Sequence, residues 1–142
     1  ARVWPENLGA GKPFDVDERL EDYLAARICQ RQGDTGRAAK WMERVAAAFG
    51  PEIPAGVNHL LTALVRRETG REAEAGKLLE EWLALEPDDP LAGWCRARFR
   101  QDAAAEAAAA RELDSRLAGP VAAWPERCRE YRLLRDILQV VR

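Results

Sequence analysis

The stretches "QGDTGRAAKWMERVAAAFGP", residues 32–51, and "ETGREAEAGKLLEEWLALEP", residues 68–87, are two copies of one pattern. Gly33 falls on Gly70, Ala38 on Ala75, Met42 on Leu79, and Pro51 near Pro87. In each copy a glycine ends one helix, where a left-handed residue is cheap only without a Cβ. A short polar turn follows and a second helix begins. The alanine after the turn lets two antiparallel helices approach closely, and the apolar residue one turn later faces the same seam. The unit is therefore a helical hairpin.

Outward from these copies, Ala, Leu, Glu and Arg dominate and no strand-type alternation occurs. Helices are predicted over about 17–32, 35–48, 56–69, 71–85, 89–101, 103–117 and 124–141, separated by Gly, Pro and Asp-rich breaks. Asp88-Asp89 is placed to cap the helix that follows, and Asp15 or Asp17 the first one, with Glu18 and Glu21 near its positive end. Residues 1–16 read as an extended lead-in.

The totals exclude several function classes. The 142 residues suit one domain, and 47% hydrophobic with 32% charged residues describes a folded chain. A net charge of −2 gives no drive toward nucleic acid or an anionic membrane. No apolar run approaches the roughly 18 residues of a transmembrane helix. Cys29, Cys95 and Cys128 form no CxxC and favour buried thiols in a reducing, cytoplasmic setting, without excluding export.

Catalytic patterns fail on inspection. Gly9-Ala10-Gly11-Lys12 looks like a phosphate loop, yet Glu6 stands where its first glycine belongs and Pro13 replaces the Ser or Thr. His59, the single histidine, leaves a histidine-based metal site or triad without partners, and it reads as a surface or groove residue. We expect no catalytic, cofactor or metal site. Five tryptophans are many for this length; Trp41 and Trp82 are expected to pack against neighbouring helices. The run "DAAAEAAAAREL", residues 102–113, is expected to allow close helix packing.

The repeated pattern, with Ala26 and Ala63 seven positions before each glycine and the ending "LALEPDDP" at 83–90, resembles the tetratricopeptide repeat. The resemblance implies an all-α, right-handed superhelix of about three hairpins, over 17–50, 56–87 and 89–121. A step of about 34 residues puts the third copy at Ala97, Ala104 and Ala109, without its turn glycine. Departures exist: the loop after the first copy is long, and Cys29 and Arg66 stand where tyrosine is common. Helix 124–141 carries one stripe, Tyr131, Leu134, Leu138 and Val141, widened by Leu133 and Ile137. It is expected to cap the last hairpin over 124–142, with a dimer-forming or membrane-lying helix as alternatives.

The resemblance further implies that the first helices line a concave groove. Its contact positions map to Tyr23, Arg27, Gln30 and Arg31, to Leu60, Leu64 and Arg67, and to Trp94 and Arg98. Such a groove suits an acidic or amphipathic peptide or protein segment, held by Arg–carboxylate forks and apolar anchors. The carboxylate clamp of chaperone-binding members is not reproduced, because Leu61 and Cys95 replace its polar residues. "WPENLGAGKP" followed by "DERLEDYLAARICQRQGD" is also similar to the C-terminal region of large bacterial repeat proteins with an upstream β-rich domain. That implies a non-catalytic protein–protein or interdomain module, without nucleic-acid or membrane partners. The alternative is an accessory domain of a carbohydrate-active or mutarotase-like enzyme. Homo-oligomerisation through 124–141 is less favoured.

Overall fold

The computed structural model describes residues 17–48, 55–120 and 126–141, and the predicted lead-in over 1–16, with its Gly-Lys run, lies outside the described residues. Among the described residues the protein is all-helical, without strands. The helices are α1 (Arg19–Arg31), α2 (Thr35–Ala47), α3 (Asn58–Glu68), α4 (Glu72–Ala75), α5 (Lys77–Leu85), α6 (Pro90–Arg100), α7 (Ala103–Arg116) and α8 (Glu126–Val140). They fall within three residues of the predicted segments, except that the helix expected over 71–85 is broken at Gly76. A Cβ there would lie 3.2 Å from the Phe99 ring, so the bare backbone admits α6 at close range.

Three turns share one hydrogen-bond scheme. After α1, Gly33 N donates to Gln30 O and Asp34 N to Cys29 O; after α3, Gly70 N donates to Arg67 O and Arg71 N to Arg66 O. After α6, Gln101 N donates to Arg98 O and Asp102 N to Ala97 O. Each is a Schellman closure around a left-handed residue, with φ of 76° at Gly33, 80° at Gly70 and 60° at Gln101. The third turn is therefore centred on Gln101, and the expected register is corrected by three residues. Trp94, Gln101 and Glu106 hold the places assigned to Ala97, Ala104 and Ala109, and Ala104 lies inside α7. Asp102 marks the true turn, because its carboxylate caps α7 by accepting from Ala105 N at 3.0 Å. Asp34 does the same for α2 through Arg37 N at 3.0 Å. Asp89 caps α6 as expected, accepting from Leu91 N at 2.9 Å with Pro90 in the first turn.

The helices stack by nearest neighbours. Within the hairpins α1 packs on α2, α3 on α4 and α5, and α6 on α7; the first helices also touch directly, α3 lying between α1 and α6. One continuous buried cluster runs through them, from Tyr23 and Ala26 through Leu60, Leu61 and Leu79 to Trp94 and Leu113. Trp82 is buried as expected, and Trp41, half-buried beneath the Arg44 guanidinium, also packs against the common cluster. The end of α2 lacks a glycine cap, and α3 serves it from outside: Thr62 Oγ1 donates to Val45 O at 3.2 Å and Arg66 Nε to Ala46 O at 3.0 Å. The alanine-rich α7 packs on α6 as expected, with Ala109 and Ala110 against the common cluster. It buries Leu113, while Ala103, Ala104, Ala105, Ala107 and Ala108 face solvent.

The last helix does more than sit at the end of the stack. Tyr131 meets Trp94 of α6 edge-on at 4.9 Å between ring centroids, and Arg135 pairs with Asp114 of α7 at 3.1 Å. At its other end the Val140 carbonyl accepts from Arg31 of α1 at 3.2 Å. Tyr131, Leu134 and Leu138 are buried in the common cluster, while Leu133 and Val140 are exposed on the outer side. α8 thus reaches from the last hairpin back to the first.

Candidate functional site

A cleft of about 600 Å³ opens where the C-terminal turns of α1, α3 and α6 come together. Tyr23 and Arg27 form one wall, Leu64, Arg67 and Glu68 the floor, and Arg98, Gln101 and Glu106 the far side; Leu138 and Val141 of the C-terminal region close it. The convergence follows from local structure. Gln30, Arg67 and Arg98 each accept, through the backbone carbonyl, from the residue three positions on at the centre of a Schellman turn, so they occupy equivalent last-turn sites. Arg27 and Leu64 stand one turn earlier on their helices.

The cationic groups are held rather than loose. Arg27 makes a two-pronged pair with Glu68, at 2.9 and 2.6 Å, and lies over the Tyr23 ring at 4.8 Å. Gln30 accepts from Arg27 at 2.8 Å. Arg98 pairs with Glu106 at 2.9 Å. Arg67 donates to the Phe99 carbonyl at 2.7 Å and lies 4.7 Å over that ring. Its ion pairs, among the described residues, include no carboxylate. The hydrogen bond from Arg27, against some burial, holds the Glu68 carboxyl below its ordinary range. A carboxylate kept ionised in this way lacks the raised pKa of a general acid.

The nine groove positions separate into two groups. The structure brings Tyr23, Arg27, Leu64, Arg67 and Arg98 together on the cleft. Gln30 touches its edge through Glu68 at 3.5 Å, and Arg31 reaches α8 instead. Leu60 and Trp94 are fully buried, and Tyr23 is 4% exposed, so in this arrangement these three present almost no surface to an external ligand. Gln101 and Glu106 join the cleft although the predicted register left them out; the Asp102 cap was the available signal.

A second polar cluster lies between α1 and α3. Asp17 takes the Arg19 guanidinium at 2.9 and 2.8 Å and accepts from Asn58 at 2.9 Å. Arg19 also donates to Thr62 Oγ1 and faces His59 Nδ1, both at 3.1 Å. His59 is buried against the edge of Trp82, at 5.8 Å between centroids, which corrects the expected surface or groove position. The reason is Arg19, which carries its own counter-ion into the seam and offers the imidazole a donor. Nδ1 must accept that bond, so the proton sits on Nε2. Burial first, and then the Arg19 charge, lower the His59 pKa to about 4. Although burial opposes it, the bonds from Arg19 and Asn58 keep Asp17 below its ordinary value. Asp17 also accepts from Arg19 N at 3.1 Å, near the start of α1.

This cluster has no activated nucleophile. Thr62 spends its proton on a backbone carbonyl, and His59 offers its acceptor nitrogen to Arg19. Burial, with the Asp89 charge adding to it, raises the Cys95 thiol far above its ordinary range and leaves it inert. Among the described residues no group of three or more His, Cys, Asp and Glu is placed to hold a metal, and no helix is long and apolar enough to cross a membrane. Comparisons with protein-family models, with curated proteins and with solved structures find no match to this chain.

Proposed function

We propose that the chain is a non-catalytic interaction module of tetratricopeptide-like helical hairpins, which binds a segment of a partner protein in the cleft bearing Arg27, Arg67 and Arg98. The observation that carries this reading is the convergence of one arginine from each of three successive hairpins around Leu64. Arg67, anchored to a carbonyl and an aromatic face, keeps guanidinium donors for an incoming carboxylate. Leu64, half-buried on the cleft, supplies an apolar contact beside it. An Asp- or Glu-bearing peptide with one apolar anchor fits this combination.

Selection of a random peptide library on the immobilised chain tests the proposal. Enriched sequences should carry acidic residues near a Leu or aromatic residue. The Arg27→Glu/Arg67→Glu double variant, its helicity checked by circular dichroism, should bind them about 10- to 100-fold more weakly, the range expected for losing one or two charge-assisted bonds. Selection without acidic enrichment, or equal affinity in the double variant, would refute it.

A further inference from the structure

The three hairpin turns close by the same pair of backbone bonds, but they do not place the same residue at the centre. Gly33 and Gly70 hold the left-handed position in the first two, and Gln101, with φ of 60°, holds it in the third. Without a Cβ that conformation is nearly free of cost, whereas glutamine adopts it against its preference. The short side chains of Asn and Asp offset such a cost by bonding the local backbone. Gln101 has no such offset, because its amide makes no hydrogen bond among the described residues. The side chain is instead exposed and lines the cleft beside Arg98 and Glu106. Strain that the turn itself does not require is a pointer to a binding role for the residue that bears it.

We infer that Gln101 is a specificity-determining residue of the cleft, whose amide exchanges two hydrogen bonds with one peptide group of the partner segment. This rests on the reading of the cleft as a partner site, and it adds that the segment lies there as extended chain. A carboxamide carries a donor and an acceptor side by side, which matches a peptide group. Within a helix the peptide groups are engaged in the helix's own bonds, so extended chain is what offers one to a neighbour.

The other polar groups on the cleft leave this role to Gln101. Arg27 is paired with Glu68 and Arg98 with Glu106, while Arg67 is bonded to the Phe99 carbonyl. Guanidinium groups only donate and ionised carboxylates only accept, so none of these five can do both. The Tyr23 hydroxyl has both functions, but that residue is 4% exposed. Arg67 and Gln101 therefore divide the recognition: the first takes a carboxylate of the segment, the second its main chain.

The probe is a fluorescein-labelled acidic peptide taken from the library selection on the wild-type chain. Its affinity is measured for Gln101→Gly and Gln101→Met. Glycine relieves the turn, so that variant should melt at a higher temperature and yet bind about 3- to 10-fold more weakly, the range for one or two neutral hydrogen bonds. Methionine keeps the length of the side chain and the left-handed backbone but lacks the amide, and it should lose a similar factor. Replacing the peptide N–H groups of the probe by ester oxygens, one at a time, should reveal one position that matters to the wild type and not to Gln101→Met. Wild-type affinity in either variant, or the same ester profile on both chains, would overturn the inference. If the Gln101 variants bind normally while Arg27→Glu/Arg67→Glu does not, this inference fails and the acidic-peptide reading stands. A selection that enriches no acidic peptide removes both.

Discussion

Acid should destabilise this protein through His59 well before its carboxylates titrate. In the fold the imidazole is neutral, buried against Trp82, with Nδ1 facing the Arg19 guanidinium at 3.1 Å. Protonation would set an N–H against that donor and a second positive charge beside Arg19. The folded pKa is therefore about 4, against 6.5 for an exposed histidine. Between these values the unfolded chain binds a proton that the folded chain does not, so stability rises with pH across the window. At about 1.36 kcal/mol per pH step, the loss on going from pH 7 to pH 4 amounts to about 3 kcal/mol. That is a large share of the roughly 5–15 kcal/mol that stabilises a typical domain. The assay is urea denaturation of the wild type and of His59→Gln, whose amide oxygen accepts from Arg19 but does not titrate. The difference between the two stability curves should open by about 3 kcal/mol between pH 6.5 and 4. Both should then fall further below about pH 4 as Asp17 and Glu68, whose pKa values are lowered, take up protons. Parallel curves from pH 7 to 4 would refute the buried, Arg19-facing histidine.

The remaining predictions concern the turns and the core. Gly33→Ala and Gly70→Ala should each cost about 1 kcal/mol in chemical denaturation. Open space surrounds both glycines, so the cost is that of the positive φ alone. Gln101→Gly should stabilise by about 0.5 kcal/mol in the same assay, by relieving that conformation at the third turn. Trp94→Ala should cost about 3–5 kcal/mol, because a fully buried indole and its edge contact with Tyr131 are both lost. Native Cys95 should resist a thiol reagent and react on the timescale of global unfolding, as mass spectrometry of the labelled peptide would show.

What was legible in the sequence depended on local signals. Gly33 and Gly70 announce their turns because glycine is the usual answer to a left-handed residue. Gln101 does not, since it adopts the same conformation at a cost, and counting by period then placed the third turn three residues late. The parallel between Gly33-Asp34 and Gln101-Asp102 was in the sequence but weaker than the expected spacing. Arg27, Arg67 and Arg98 could be assigned to one surface through the resemblance to the tetratricopeptide repeat. Their pairing with Glu68, Phe99 O and Glu106 could not, because it is set by how neighbouring helices meet. Nor could the burial of His59, whose partner Arg19 lies 40 residues away. The stripe on α8 told how much it buries but not against which helices, which is why groove positions such as Leu60 and Trp94 prove to be interior.

The contact between Arg31 and the Val140 carbonyl joins residues 109 positions apart in the chain. A stack in which each hairpin touches only its neighbours can fray from either end, and its unfolding spreads over a series of partly melted forms. Here one exposed hydrogen bond of 3.2 Å, worth about 1 kcal/mol, links the first hairpin to the last element. Amide exchange should therefore be slowest in α3, which lies between α1 and α6, and faster toward both ends of the stack.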